Sequence, residues 1–353
     1  MIASPEDATP EWLSGVLRES RLEQLPEILD VRILLTRKLA YSTVARLKVE
    51  YSDSHGTLDA PVHMFLKLSR ETRSDSHTRG IGEKEVEFCR NLAPEMSCPP
   101  LIRCYDAAFS AETGRSYILL DDLFETHSQP EQNNAPSESF SHSAVEALAK
   151  AHAHWWNDPR LGVGVGMLID DSTLGDFIAD LHSSAKRFIE DSGSELTSGQ
   201  KHAFKLMLAH ADRIWGRLKD RRGLTVTHGD AHWWNFLYPN NLEEDAVRVF
   251  DWHLWHVDLG ARDLAFLLAL GGFTEPRPEI ETGLLRTYHD SLTATGVSDY
   301  SWEQLVEDYR WSAIRNLNIP VIFWSQGKHE STWQTALRRA FESYERLKCE
   351  ELL

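Results

Sequence analysis

Thr227-His228-Gly229-Asp230-Ala231-His232-Trp233-Trp234-Asn235, followed by Val249-Phe250-Asp251-Trp252, is the stretch that decides how this chain is read. It supplies a carboxylate, an amide five residues on, and a second carboxylate just after an apolar run. Phosphoryl transfer needs that set of groups. One carboxylate faces an acceptor hydroxyl, while an amide oxygen and another carboxylate hold magnesium on the nucleotide phosphates. Asp230 is the candidate catalytic residue, and Asn235 and Asp251 are the candidate metal ligands, because magnesium prefers oxygen donors.

The flanking pattern sets these groups on loops. Leu224-Thr225-Val226-Thr227 reads as a short strand running into His228-Gly229, and Ala246-Val247-Arg248-Val249-Phe250 as another running into Asp251. Pro239-Asn240-Asn241 between them is turn chemistry. Reactive groups usually sit on loops that a rigid scaffold positions.

His-Gly-Asp-x-His-x-x-Asn followed by Asp-Trp resembles the signature of the aminoglycoside phosphotransferase and choline kinase-like superfamily, and the His-Gly-Asp opening is similar to the aminoglycoside branch. Thr9-Pro10-Glu11-Trp12-Leu13 resembles the opening of the ecdysteroid-kinase-like subgroup. Glu146-Ala147-Leu148-Ala149-Lys150-Ala151-His152-Ala153 is similar to the family's Leu-Ala-x-x-His-Ala helix, and Gly260-Ala261-Arg262-Asp263-Leu264-Ala265 to the Asp-Leu-Ala that follows the magnesium aspartate. The resemblance implies an α+β, two-lobed protein-kinase-like fold: an N-lobe over 1–122 with an antiparallel sheet and one key helix, and a mainly helical C-lobe over 123–353. It implies ATP or GTP as co-substrate, bound in the cleft, with Mg2+ as cofactor.

The pass along the chain agrees. Thr9 reads as an N-cap with Pro10 opening a helix to about 19. Strands are expected near 31–35, 44–51, 62–68 and 117–120, with a turn at 53–56 and a helix over 83–93. In that frame Lys67 reaches the phosphates and Glu85 holds it. Glu83 and Glu87 compete for the second role, but Glu85 shares a helix face with Phe88 and Leu92 and best matches the family's position. Leu39-Ala40-Tyr41-Ser42-Thr43 falls at the family's phosphate-covering turn and contains no glycine, which leaves backbone amides and the Ser42 and Thr43 hydroxyls to meet phosphate. Asp121, Asp122 and Leu123 occupy the hinge position. The polar run 125–141 reads as a loop, and helices are expected near 143–156, 174–189, 198–218, 279–295, 302–323 and 333–347. His228, His232 and Asp263 read as residues that shape the catalytic loop.

Composition narrows the partners. A formal charge of −17 over 353 residues disfavours nucleic acid and is compatible with a cationic acceptor. Asp258 is a candidate to meet such a cation, and Trp311, Trp324 and Trp333 are read first as core and second as an acceptor pocket. No window is long and apolar enough to span a bilayer, and the first residues carry no basic or apolar leader pattern, so a cytoplasmic protein is expected. Cys89, Cys98, Cys104 and Cys349 lack metal-ligand spacing and read as reduced thiols.

Three rivals are weaker. A metallohydrolase would use His152 and His154, but an i, i+2 pair on a helix faces two directions. A protein kinase would carry His-Arg-Asp, Asp-Phe-Gly and an Ala-Pro-Glu segment, none of which is present. A non-catalytic nucleotide-binding protein has only the glycine-free turn in its favour. The partner implied is a small hydroxylated acceptor, possible classes including antibiotics, choline, sugars and ecdysteroids.

Overall fold

A computed structural model describes residues 1–20, 25–39, 42–52, 60–69, 80–96, 100–131, 134–271 and 274–353. The fold is α+β, and its chain forms two compact units. The first comprises Met1–Gln129 with Leu237–Trp255, the second Pro130–Phe236 with His256–Leu353.

The first unit is built on a five-stranded antiparallel sheet. β1 (Ile28–Lys38), β2 (Ser42–Tyr51), β3 (His63–Ser69), β4 (Cys104–Phe109) and β5 (Ser116–Asp121) lie in the order β1-β2-β3-β5-β4. Helix α1 (Pro10–Glu19) starts where the sequence places it, with the Thr9 hydroxyl accepting from the Trp12 amide. Its Leu13, Val16 and Leu17 pack with Leu47, Val49, Met64, Leu66 and Leu119 from one sheet face. The strand period of two puts those residues on the core face and Lys67, between Leu66 and Leu68, on the other.

Helix α2 (Ile81–Glu87) is shorter than expected. It continues as a π turn over Phe88–Leu92 and a 3-10 turn over Ala93–Glu95. The sequence reading has no strand at β4, whose inward Tyr105 and Ala107 alternate with Asp106. The expected turn at 53–56 lies outside the described residues, as do Ala40, Tyr41 and Cys98.

Leu237–Trp255 packs in the first unit, although the expected division at 122/123 assigns it to the second lobe. The reason is strand pairing. β6 (His127–Ser128), β8 (Phe236–Pro239) and β9 (Arg248–Val249) form a small sheet, and the Val249 amide donates to the Pro100 carbonyl at 2.8 Å.

The second unit is mainly helical. α3 (Glu138–His154) begins inside the segment expected as loop, capped by the Ser137 hydroxyl. α4 (Asp171–Ser192) follows, and then α5 (Ser198–Ala209) and α6 (Ala211–Gly216), which break at His210 where one long helix is expected. α7 (Gly260–Leu264), α8 (Pro278–Ala294), α9 (Trp302–Arg315), α10 (Ile319–Ser325) and α11 (Glu330–Arg346) complete it. β7 (Leu224–Thr227) pairs antiparallel with β10 (His256–Leu259), so the strand that carries the chain into Asp230 is braced by one that starts just beyond Asp251. Among the described residues no helix is long and apolar enough to cross a membrane.

Candidate active site

In the first unit three charged groups meet. Lys67 Nζ on β3 donates to Glu85 Oε1 of α2 at 2.8 Å and to Asp251 Oδ1 at 2.5 Å. Glu85 is buried, whereas Glu83 and Glu87 are exposed, so the helix face carrying Phe88 and Leu92 selects Glu85 among the three. Burial disfavours the charged form of Lys67, but the adjoining Glu85 and Asp251 carboxylates outweigh it and raise the ammonium pKa. Glu85 moves up because burial outweighs the pull of Lys67. Asp251 moves well below the usual carboxylate range, since Lys67 and His253 together overcome its burial.

Asp251 sits at φ 68°, ψ 51°, the left-handed region, at the start of a 3-10 turn over Trp252–Leu254. Asp tolerates this better than most residues, at a cost of about 1 kcal/mol. The turn is held on α2: Trp252 stacks on Phe88, and the Trp255 indole N–H donates to the Lys84 carbonyl at 2.8 Å. His253 Nδ1 lies 2.7 Å from Asp251 Oδ1. The sequence reading includes Trp252 in the Asp-Trp motif without its packing role and does not single out His253 or Trp255, since a local pattern shows neither the turn nor its partners.

Ser42 and Thr43 lie in β2, paired with Ser69 and Leu68, rather than in a loop. Of the expected phosphate-covering turn, Ala40 and Tyr41 lie outside the described residues. At the hinge position Asp121 accepts from the Tyr105 hydroxyl, and Asp122 pairs with Arg46 Nε at 2.5 Å. The Leu123 carbonyl accepts from the amides of Thr126 and His127 and so opens a local turn.

In the second unit the loop after β7 is fixed by a buried carboxylate. Asp263 accepts from the backbone N–H of His228 at 2.6 Å and of Gly229 at 3.0 Å. Its Oδ2 also meets His152 Nε2 at 3.1 Å, and His152 Nδ1 meets the Tyr288 hydroxyl at 2.8 Å. Burial pushes Asp263 upward, but these donors lower it below its ordinary value. Asp263 thus anchors the loop, and His152 is spent on that anchor. Gly229 turns the chain at φ 80°.

Asn235 Nδ2 donates to the Asp230 carbonyl at 3.0 Å, and the His232 amide donates to the same carbonyl at 2.8 Å. The loop is therefore closed on itself between its two candidate functional residues. His232 Nε2 lies 3.5 Å from Asp230 Oδ2, beside a carboxylate that remains partly exposed.

In the second unit Asn235 spends Nδ2 on a carbonyl, which leaves its amide oxygen as the atom of the type a hard cation prefers. In the first unit Asp251 has a second carboxylate oxygen beyond the one shared by Lys67 and His253. No group of three or more His, Cys, Asp or Glu side chains suited to a metal occurs among the described residues.

Two acceptor-site expectations fail on burial. Asp258 is 1 % exposed and bonded bidentately by Arg315 at 2.8 and 2.6 Å, so it cannot greet a substrate cation. Trp311 and Trp333 are buried, and Trp324 and Trp333 both pack edge-on to Phe188. The core reading of these tryptophans stands.

This fold is that of the kinase-like phosphotransferases. Residues 169–297, which include the loop from His228 to Asn235 and also Asp251, match the ecdysteroid kinase-like family. Over nearly the whole chain the structure resembles the GDP complex of a variant aminoglycoside 2'-phosphotransferase IIIa, at TM-score 0.53 and 11% identity, covering 97% of this chain and 98% of that one. It resembles the GDP and kanamycin complex of APH(2")-IIia at TM-score 0.51 and 12% identity, covering 96% and 99%. A microcompartment-associated aminopropanol kinase gives 0.50 and 11%, covering 96% of each chain. No curated protein matches the chain in sequence. In motif, family match and fold, the chain resembles the aminoglycoside phosphotransferase and choline kinase-like superfamily.

Proposed function

We propose that this protein is a small-molecule kinase that moves the γ-phosphoryl group of ATP or GTP to a hydroxyl of a small acceptor. The observation that carries the reading is Lys67, a half-buried cation held between Glu85 and Asp251. An ammonium fixed in this way is pre-oriented to bind phosphate oxygens, and catalysis of phosphoryl transfer consists mainly of positioning and charge neutralisation.

Asp230 orients the acceptor hydroxyl and takes its proton as the new P–O bond forms. A carboxylate is too weak a base to remove that proton beforehand, so alignment is its larger contribution. Asn235 and Asp251 would each offer an oxygen to Mg2+, which when bound would neutralise phosphate charge. Asp263 keeps the loop in shape through the His228 and Gly229 amides. Ser42, Thr43 and the hinge residues Asp121, Asp122 and Leu123 contribute to nucleotide binding.

The likeness to aminoglycoside kinases makes an antibiotic one acceptor class to test, and the likeness to aminopropanol kinase makes a small amino alcohol another. The test is magnesium-dependent consumption of ATP and GTP across aminoglycosides, macrolides, amino alcohols, choline, sugars and steroids. Turnover that depends on one acceptor class supports the proposal and names the substrate. Tight nucleotide binding with no turnover on any class favours a non-catalytic nucleotide-binding role. Absence of nucleotide binding contradicts both.

A further inference from the structure

Strand β1 is 11 residues long and lies at one end of the sheet order. Among the described residues only β2 pairs with it. Every residue from Arg32 to Lys38 is exposed, and three consecutive apolar side chains, Ile33, Leu34 and Leu35, stand 38 %, 49 % and 53 % in solvent. A long apolar edge of this kind is a template for pairing with another chain.

The ladder to β2 fixes which backbone groups face away from it. The Leu39 amide donates to the Ser42 carbonyl, so by alternation Arg37 with Val44 and Leu35 with Arg46 are hydrogen-bonded pairs. A bulge at Leu34 shifts the alternation by one, and beyond it Arg32 with Lys48 and Asp30 with Glu50 are the hydrogen-bonded pairs. The Val49 amide fits this order, since it donates to the Val62 carbonyl on the side away from β1. The peptide groups of Val31, Ile33, Thr36 and Lys38 therefore point outward.

We infer that β1 pairs antiparallel with β1 of a second copy of this chain, about a twofold axis between Ile33 and Leu34. Val31 then faces Thr36 of the second copy, both with outward peptide groups, and Asp30 faces Arg37, both with inward ones. An antiparallel ladder requires such matched pairs. The bulge makes the match, because in an unbroken strand this axis would set outward groups against inward ones. Asp30 and Arg37 form the type of pair whose side chains approach most closely, and the twofold makes the contact twice. Arg37 is exposed and forms no ion pair among the described residues. Asp30 is bonded to Arg32 Nε at 2.9 Å and keeps 48 % of its side chain in solvent. Sliding the pairing by two residues also matches the peptide groups, but it sets Arg32 against Arg37. The charges thus select one register, with Ile33 and Leu34 meeting at its centre.

The test is the mass of the full chain in solution across a dilution series, by sedimentation equilibrium. The expected result is a dimer of the 40.3 kDa chain that dissociates on dilution. Arg37→Asp sets two pairs of carboxylates together, and Asp30→Arg two pairs of guanidinium groups. Each should weaken self-association by about tenfold or more while keeping the parent's circular dichroism. An equimolar mixture of the two variants restores dimers, because both cross-strand pairs are again of opposite charge. Hydrogen exchange of the parent gives a reading free of substitutions: protection of the Val31, Ile33, Thr36 and Lys38 amides should rise with concentration, while the Leu35 and Arg37 amides are protected throughout. A parent that stays monomeric at its highest soluble concentration, a dimer indifferent to both charge reversals, or a mixture that does not reassociate overturns the inference. These readouts need no nucleotide, so they stand or fall separately from the kinase reading.

Discussion

The indole of Trp252 lies flat on the ring of Phe88, with 4.2 Å between centroids and 6° between planes. Trp252 directly follows Asp251, and Phe88 lies three residues beyond Glu85. The stack therefore joins the turn that presents one carboxylate to the helix that presents the other, and Lys67 closes the triangle. Both rings are buried, so most of their worth is apolar area removed from water, with the offset geometry adding a smaller share.

Phe88→Ala opens a cavity in that contact and is expected to cost about 3–5 kcal/mol of stability. Hydrogen exchange should quicken in α2 more than in the β1–β2 pair, because the helix loses its grip on the 252–254 turn. Uniform protection across the first unit would show that the stack does not hold α2.

Lys67→Met keeps the aliphatic stem and removes the charge. It leaves Glu85 and Asp251 facing each other without their cation. Stability should fall, and phosphoryl transfer should drop by about a hundredfold or more. A variant with unchanged turnover would remove Lys67 from the mechanism.

Asp263→Asn replaces a carboxylate that accepts from two backbone amides and from His152. An amide cannot satisfy all three donors, so a loss of about 1–3 kcal/mol is expected. His152→Ala should cost less when made in the Asp263→Asn background than alone, since the pair shares one bond. Strict additivity would argue that the two do not act together. Gly260 is a related constraint. A Cβ there would run into the Tyr288 hydroxyl and within 3.1 Å of His152 Nδ1, so Gly260→Ala should loosen the same buried chain.

Asp258 supplies a pH dependence. Burial opposes its charge, but Arg315 and His256 lower its pKa in the folded chain far below the unfolded value near 3.8. The unfolded state therefore binds the proton more readily. The stabilisation is fully present above about pH 4 and is lost progressively as the pH falls below it. Asp258→Asn should lower stability at neutral pH by about 3–5 kcal/mol, because it strands the largely covered Arg315, and should flatten the acid limb of the stability curve. An unchanged acid limb would mean other carboxylates dominate it.

Much of the fold can be read from residue pattern alone, because α1 has its cap and proline, β2 and β3 alternate, and the helices of the second unit repeat at three and four. On the first unit's helix Glu85 is buried while Glu83 and Glu87 are exposed. What escapes is long-range. The pairing of β7 with β10, the return of Leu237–Trp255 to the first unit, and the anchoring of His228 by Asp263 across 35 residues depend on partners that no local period encodes. Asp258 was misread for the same reason: a carboxylate looks available until its arginine, 57 residues away, is found.

The most direct test of the central claim is transfer of a labelled γ-phosphate to acceptor, measured for the parent chain and for Asp230→Asn at equal nucleotide occupancy. The predicted result is acceptor-dependent transfer in the parent and a loss of about a thousandfold or more in the variant, with nucleotide affinity and thermal midpoint nearly unchanged. Equal transfer by both proteins would contradict the assignment of Asp230 and, with it, the mechanism built around this loop.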